Sequence, residues 1–210
     1  MATKTIDRAG FTLLELMAVV VILGILIGLL VTALGGAEES AKVRLTKVSM
    51  TQLSAAIDAY EREFGGYPAS TLPESAGGAN AVNVGIEALV ASLWSNGWEG
   101  GGDLDPDELV NLDADSSKKQ FTDFPDRQLF EVADQWGNPI AYFHNRDYER
   151  PQRYTVEDQE TGELLDDEVR AFKNETTRRY FQHNKYQLIS AGPDGRFMTP
   201  EDNITTFSRN

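Results

Sequence analysis

A single apolar run near the start of the chain limits what the rest can fold into. Between Gly10 and Leu34 the only charged residue is Glu15. As a helix that rises ~1.5 Å per residue, this run is long enough to cross a hydrocarbon layer of ~30 Å. A carboxylate inside a membrane costs ~2.5–3.5 kcal/mol on insertion scales, so Glu15 needs a partner or a purpose. We therefore expect a transmembrane helix over residues 11–36 whose one acid has a role in assembly.

The polar leader that precedes the run supplies a partner for this acid. Residues 1–10 carry Lys4, Asp7 and Arg8 and end at Gly10. If a peptidase cut after Gly10, the ammonium of Phe11 would become the new amino terminus, shortly before Glu15 in the chain. Cleavage would thereby create a cation for the anion.

The residues around this point, Arg8-Ala9-Gly10-Phe11-Thr12-Leu13-Leu14-Glu15, resemble the class III signal of type IV pilins and of the pseudopilins of type II secretion. The resemblance implies that a prepilin peptidase cuts between Gly10 and Phe11 and N-methylates Phe11. It also implies that Glu15 aids assembly by meeting the amino terminus of a neighbouring subunit.

Two other interpretations of the apolar run are an ordinary secretory signal and a plain single-span anchor. A secretory signal has an apolar core of only about 7–15 residues, which is shorter than this run. A plain anchor leaves Glu15 unexplained. The pilin-type signal accounts for Gly10, Phe11 and Glu15 together, so we favour it.

Length and composition bound the remaining possibilities. The chain has 210 residues with 41% hydrophobic content, which allows one membrane helix and one globular domain. Its formal net charge of -14 argues against a nucleic-acid partner, whose phosphates would be repelled. Cysteine is absent from the sequence, which excludes a disulfide framework and a thiolate metal site.

The apolar run should continue into an amphipathic helix over residues 37–66. Residues 37–64 contain neither Gly nor Pro, and Gly65-Gly66 followed by Pro68 should end the helix. Including the membrane part, the helix would be about 50 residues long. Its predicted inner face recurs at intervals of three and four residues: Leu45, Val48, Gln52, Ala56, Tyr60 and Phe64, with Leu53 and Ile57 beside them.

Residues 67–210 should form the globular domain. We expect a short helix over Gly85–Trp94 and apolar strands over Ile140–His144 and Tyr186–Ser190. Two charged or Gly-rich stretches look like insertions, near 97–126 and near 150–184. The first should contain a helical turn after Pro106, and the second a hairpin through Thr161-Gly162 and a short helix near Asp167 to Lys173.

Three segments of this domain resemble the major pseudopilin of type II secretion. They are Gly85-Ile86-Glu87-Ala88-Leu89, the turn Asp134-Gln135-Trp136-Gly137-Asn138-Pro139, and the loop Ser190-Ala191-Gly192-Pro193-Asp194-Gly195. The resemblance implies an α+β, type IV pilin-like fold, with a long N-terminal helix packed on a small antiparallel β-sheet domain. Trp136 should fill the core or its rim rather than bind a ligand.

The last of these loops leads to a calcium site in that family. The resemblance implies calcium ligands here at Asp194, Asp202 and Asn203, with Ser190 adding an oxygen. Calcium takes six to eight hard oxygen donors in a flexible cage, which suits these residue types. The alternative is a plain Asp-Gly turn followed by a tail without a metal.

The sequence carries no catalytic motif, so we do not expect an enzyme. His144 and His183 are the only histidines; they lie far apart and lack metal-ligand spacing. A nucleophile motif, a phosphate loop and a dinucleotide fingerprint are all missing.

Together these features predict a structural subunit of a type II secretion pseudopilus. The resemblance implies an inner-membrane, single-pass protein with its globular domain in the periplasm, which assembles with copies of itself into a helical filament. Its partners would be the prepilin peptidase, minor pseudopilins and the inner-membrane secretion platform. Alternatives are a minor pseudopilin, a type IV pilin of another machine, or a membrane-anchored calcium-binding or receptor domain that does not polymerise.

Overall fold

The computed structural model describes residues 11–95, 98–99, 104 and 109–209, with the backbone alone for 29–35 and 98–99. The chain divides into two compact units, Met1–Ala41 and Lys42–Asn210. Helix α1 (Leu13–Phe64) has 52 residues and runs without a break through Gly35-Gly36. The single helix of about 50 residues that the sequence predicts is therefore confirmed.

The described side chains of the first unit are mostly apolar and exposed. Leu13, Leu16 and Ile25 each expose 60% or more of their surface. Among the helices that the structure describes, we find none with both the length and the hydropathy needed to cross a membrane. The transmembrane helix over residues 11–36 stays a prediction.

The second part of α1 packs into the domain through a face that differs from the predicted one. Met50, Leu53 and Ile57 are fully buried, whereas Leu45 and Val48 are more than half exposed. The three- and four-residue spacing of α1 allows two overlapping apolar stripes, and the sequence alone does not show which one meets the sheet. The predicted stripe is wrong at Leu45, Val48, Gln52 and Phe64, which are exposed, and Met50 was missed.

Besides α1, the described residues of the domain form one short α-helix, two 3-10 helices (Glu74–Ala76 and Asn145–Asp147) and nine short strands. Helix α2 spans Val84–Leu93. The strands are β1 (Trp94–Ser95), β2 (Trp98–Glu99), β3 (Leu109–Val110), β4 (Glu131–Val132), β5 (Ala141–His144), β6 (Gln152–Glu157), β7 (Leu164–Val169), β8 (Tyr186–Ser190) and β9 (Ile204–Thr205). All the pairings between these strands are antiparallel.

The central sheet has the order β5-β8-β9, and its residues contribute to the apolar core of the domain. Ala141 pairs with Ile189 and His144 pairs with Tyr186. Every residue of β5 and β8 is buried, because α2 covers β5 and the apolar face of α1 joins the same core. The predicted helix and both predicted strands are confirmed, although Trp94 belongs to β1 rather than to α2.

The second predicted insertion is a β-hairpin. Strands β6 and β7 pair along their full lengths, and the turn that joins them passes through Thr161-Gly162, where Gly162 has φ +70°. The predicted short helix near Asp167 to Lys173 is wrong, because Asp167–Val169 belong to β7. Cross-strand pairing and burial of Asp167 and Val169 outweigh the local helical preference of this charged stretch. The predicted turn after Pro106 lies outside the described residues.

The architecture is the predicted α+β, pilin-like fold. An N-terminal helix packs on small antiparallel sheets, and α2 lies beside the central one. Trp136 exposes 8% of its surface and belongs to the main apolar core, as expected of a residue that fills it.

Candidate functional site

The N-terminus of α1 is closed by a reciprocal pair of hydrogen bonds. The backbone N–H and the hydroxyl of Thr12 both donate to Oε2 of Glu15, at 2.9 Å each. In return, the backbone N–H of Glu15 donates to Oγ1 of Thr12 at 3.2 Å. This is a capping box, in which two helix-end donors are satisfied by side chains.

The capping box gives Glu15 a local role that our sequence reasoning missed. A Thr followed three residues later by Glu at the start of an apolar run is its signature, and Thr12-Leu13-Leu14-Glu15 carries it. Phe11, at the predicted cleavage point, is exposed. Gly10, on the other side of that point, lies outside the described residues. Cleavage, methylation and the assembly role of Glu15 stay predictions.

Ser190, the first residue of the C-terminal loop, is committed to a buried carboxylate. Its hydroxyl donates to Oδ2 of Asp134 at 2.7 Å and accepts from the backbone N–H of Gly192 at 3.0 Å. Asp134 also accepts from the backbone N–H groups of Trp136 and Asn138. Burial raises the pKa of Asp134 to about 6, although these hydrogen bonds favour the charged form.

The loop that follows holds Asp194 in a fixed orientation. One carboxylate oxygen of Asp194 accepts from the backbone N–H of Arg196 at 2.9 Å, and the other accepts from the hydroxyl of Thr199. Gly192 has φ +77° and lies so close to Asp202 that a Cβ would come within 2.2 Å of the carbonyl oxygen of Asp202. Only glycine fits there, because both the backbone angle and the contact exclude a side chain.

The four predicted calcium ligands differ in what they offer. Asn203 is buried and donates through Nδ2 to the carbonyl of Phe197 at 3.0 Å, while its Oδ1 has no hydrogen-bond partner. Asp202 is exposed. The Ser190 hydroxyl donates to Asp134 and accepts one hydrogen bond from Gly192, which leaves one lone pair on its oxygen. All four residues therefore carry hard oxygen donors of the kind that calcium takes, and the site stays a prediction.

Arg196, which follows this loop in the chain, pairs with two acids of the β6-β7 hairpin region. The guanidinium of Arg196 contacts Oδ2 of Asp158 at 3.1 Å and Oδ2 of Asp167 at 3.3 Å. Asp167 also accepts from the backbone N–H of Phe197 at 2.9 Å. Arg196 thus joins the C-terminal loop to the β6-β7 hairpin.

The two histidines lie in different environments. His144 ends β5, and its Nδ1 accepts from the backbone N–H of Arg146 at 3.1 Å. His183 is exposed in a turn. Over the described residues, neither histidine belongs to a group of acids and histidines close enough to share a metal ion.

Comparison with known proteins gives these sites a family. The model of the prokaryotic N-terminal methylation motif matches residues 7–31, a range that includes Gly10, Phe11 and Glu15. Type II secretion system core protein G of Pseudomonas aeruginosa is 30% identical over 136 residues, which cover 65% of this chain and 73% of that relative.

The chain belongs to the family of type II secretion system core protein G. The protein of that name from Escherichia coli K12 is 28% identical over 203 residues, which cover 97% of this chain and 93% of the relative. No solved structure matches the chain at a significant level.

Membership of this family confirms the resemblance predicted from the sequence, that of a major pseudopilin. The match to the Escherichia coli protein covers 97% of this chain, and whether the two stretches near 97–126 and 150–184 are insertions stays a prediction. Both relatives are named as components of the type II secretion system.

Proposed function

We propose that the chain is the precursor of the structural subunit of a type II secretion pseudopilus. The observation that carries the proposal is the coincidence of the methylation motif at residues 7–31 with similarity to core protein G over most of the chain. The exposed apolar side chains of α1, such as Leu13 and Leu16, are the kind of surface that subunits bury against one another in a filament.

The first step of the proposed pathway is removal of the leader. A prepilin peptidase cuts between Gly10 and Phe11 and methylates the new amino terminus. The test is the intact mass of the full chain after coexpression with a prepilin peptidase. We expect a species that begins at methylated Phe11, and a chain that still carries residues 1–10 would contradict the proposal. Gly10→Val, which places a branched side chain at the cleavage point, should remain uncut.

The second step is polymerisation, in which Glu15 pairs with the amino terminus of a neighbouring copy. A carboxylate among apolar side chains is costly without a cation, and the neighbouring ammonium supplies one. Glu15→Ala should abolish filaments when the chain is expressed with its secretion machinery. Electron microscopy of sheared filaments measures this, and Glu63→Ala, at an exposed position near the end of α1, is the matched control.

A further variant separates the two roles of Glu15. Thr12→Ala removes the hydroxyl from the capping box but leaves the carboxylate of Glu15 in place. If charge pairing is the assembly role, Thr12→Ala assembles and Glu15→Ala does not. If both variants fail alike, the helix cap is what assembly needs, and the charge-pairing step is wrong.

Before assembly the subunit is proposed to lie in the inner membrane through residues 11–36, with its globular domain in the periplasm. The apolar sequence of this stretch supports the anchor. Proteins that contact it there would be minor pseudopilins and the inner-membrane secretion platform. Externally added protease should digest residues 42–210 in spheroplasts while an N-terminal fragment stays protected in the membrane fraction, and complete release by carbonate washing would contradict the anchor.

We also propose calcium as a ligand of the C-terminal loop, held by Asp194, Asp202 and Asn203 with an oxygen from Ser190. The unpartnered Oδ1 of buried Asn203 supports it, since a bound cation would satisfy that oxygen. Calcium would supply a positive charge that ties the loop together. Adding a chelator to the full chain in detergent should lower its melting temperature, and this effect should be smaller in Asp194→Asn than in the parent chain. A melting temperature that ignores both calcium and chelator would dispose of the site.

A further inference from the structure

A second group of acids includes Glu87 of α2 and Glu131 of β4, and the proposed function makes no use of it. It consists of Glu87, Asp113, Asp115 and Glu131, which we name the α2 acid cluster. One carboxylate oxygen from each of Glu87, Asp113 and Glu131 lies within 4.8 Å of the other two. Glu87 and Glu131 are buried, exposing 1% and 0% of their surfaces.

The protein holds three of these carboxylates through nearby donors. Asn83, at the N-terminal cap of α2, donates through Nδ2 to Oε1 of Glu131 at 2.9 Å, and the backbone N–H of Leu112 donates to Oε2 at 3.1 Å. Asn80 donates through Nδ2 to Oδ2 of Asp113 and through its backbone N–H to Oδ2 of Asp115, both at 2.9 Å. The carboxylates are thus fixed in place by groups on two separate segments, around residues 80–83 and at Leu112.

The remaining oxygens of the cluster receive no hydrogen bond from an N–H group or a hydroxyl of the protein. This holds for both oxygens of buried Glu87, for Oδ1 of Asp113 and for Oδ1 of Asp115; the neighbour that Glu87 meets is a second acid, Asp115. These four oxygens are most of the buried side-chain atoms in the described chain that lack such a donor. Buried polar atoms are almost always satisfied, so a group of orphaned acceptors indicates something that is bound there.

The cluster also lacks a protein cation. The ion pairs found within the described residues lie elsewhere, chiefly along the β6-β7 hairpin and at Arg196. Burial is the main cause, and the neighbouring acids a second one, of a pKa of about 10 for Glu87 and about 8 for Glu131.

We propose that the α2 acid cluster binds a divalent cation of the calcium type, through Glu87, Asp113 and Glu131, with Asp115 beside them. Oxygen-only donors with several carboxylates are what calcium prefers, and the four orphaned oxygens supply acceptors that the protein leaves open. A cation there would link α2 to the segment around residues 111–115 and to β4. The proposal is independent of filament assembly and of the calcium site in the C-terminal loop.

Calcium binding by the full chain in detergent, measured by equilibrium dialysis with radioactive calcium, tests the site. Glu87→Gln keeps the shape of the side chain but removes its charge, and it should weaken calcium binding at this site by about tenfold or more, because ligand charge tunes such sites. Asp113→Asn changes a half-buried ligand and should have the same effect. Glu74→Gln removes an equal charge from an exposed position and should bind calcium as the parent chain does.

The two calcium proposals are separated in the same experiment. Asp194→Asn should leave the calcium bound at the α2 acid cluster in place, and Glu87→Gln should leave the calcium bound in the C-terminal loop. The proposal is overturned if the chain binds no calcium beyond what Asp194→Asn removes. It is equally overturned if Glu87→Gln and Asp113→Asn both bind calcium as well as Glu74→Gln does.

Discussion

The hydroxyl of Ser190 donates a 2.7 Å hydrogen bond to Oδ2 of Asp134, which joins two segments that lie 56 residues apart. Asp134 begins the turn that contains Trp136, and Ser190 ends β8. The Asp134 carboxylate is 5% exposed and receives this bond together with backbone donors from its own turn. The pair therefore fixes the turn onto the central sheet at the start of the C-terminal loop.

Replacing Ser190 by Ala should destabilise the domain by about 1–3 kcal/mol, because a buried carboxylate loses one of its donors. Urea unfolding of the full chain in detergent, followed by tryptophan fluorescence, measures the change. Ser54→Ala is the matched control. The Ser54 hydroxyl donates to the carbonyl of Met50 within α1, and that carbonyl can be satisfied by water or by the helix backbone when the hydroxyl is removed, so the cost should be small. Equal losses in the free energy of unfolding would show that the hydrogen bond to Asp134 contributes no more than the hydrogen bond of Ser54.

Gly85 should not tolerate even the smallest side chain. A Cβ at this position would lie 2.3 Å from Oε1 of Gln152, 2.4 Å from the carbonyl oxygen of Tyr142 and 2.6 Å from the hydroxyl of Tyr154. We expect Gly85→Ala to destabilise the domain by about 1–3 kcal/mol or more through overpacking. That loss exceeds the gain of ~1 kcal/mol that Ala brings to a helix interior.

Gly36→Ala is the control for this substitution, since it makes the same exchange within a helix. Nothing lies within 4 Å of a Cβ at Gly36, so only the helix-propensity gain remains there. Circular dichroism during thermal unfolding should show a lower midpoint for Gly85→Ala and an unchanged or higher one for Gly36→Ala. A Gly85→Ala chain that melts at the parent temperature would mean that α2 has more room than the structure gives it.

His144 should make stability depend on pH. Burial lowers the pKa of His144 and the nearby Arg146 lowers it further, while Asp147 acts in the opposite direction. The folded chain then binds fewer protons than the unfolded chain between the folded pKa and the ordinary value near 6.5, so the free energy of unfolding decreases as the pH falls through that window. The neutral ring is also the form whose Nδ1 accepts from Arg146.

His144→Asn should remove this part of the pH dependence, because the Asn carbonyl accepts the same backbone hydrogen bond without titrating. Urea midpoints measured between pH 7 and pH 5 test it. Asp134, Glu131 and Glu87, whose pKa values are raised, act in the opposite direction, so the test is the difference between variants and parent. On acidification His144→Asn should lose less stability than the parent, or gain more, whereas His183→Asn at the exposed histidine should follow the parent. A His144→Asn chain with the same pH dependence as the parent would contradict the argument.

The elements that the sequence predicted well are those with a local signal. Gly65-Gly66 and Pro68 marked the end of α1, and runs of apolar residues marked α2, β5 and β8. The inner face of α1 was predicted less well, since a spacing of three and four residues fits both Leu45-Val48 and Leu53-Ile57. Only the partner sheet decides between two such stripes, and it is remote in sequence.

The candidate sites likewise differ in whether a local sequence signal predicts them. Gly10, Phe11 and Glu15 form a contiguous motif, which the family model also recognises. The α2 acid cluster, by contrast, draws Glu87 from a helix, Asp113 from a loop and Glu131 from a strand. No spacing in the sequence predicts that meeting, because the tertiary fold alone brings the three segments together.

Arg196 should stabilise the domain by connecting its C-terminal loop to the β6-β7 hairpin. Its side chain is 34% exposed, whereas that of Asp167 is only 4% exposed, so Arg196→Met would leave a buried carboxylate without its cation. The loss should be smaller than the ~3–5 kcal/mol that follows when a fully buried pair is broken, because solvent reaches the arginine. Arg196→Lys keeps the charge but lacks the guanidinium fork, so it should recover only part of the stability.

In a double-mutant cycle by urea unfolding, Asp167→Asn should cost less in the Arg196→Met background than in the parent chain. Strictly additive losses would mean that Arg196 acts through its other contacts, at Asp158 or along its aliphatic stem, rather than through Asp167.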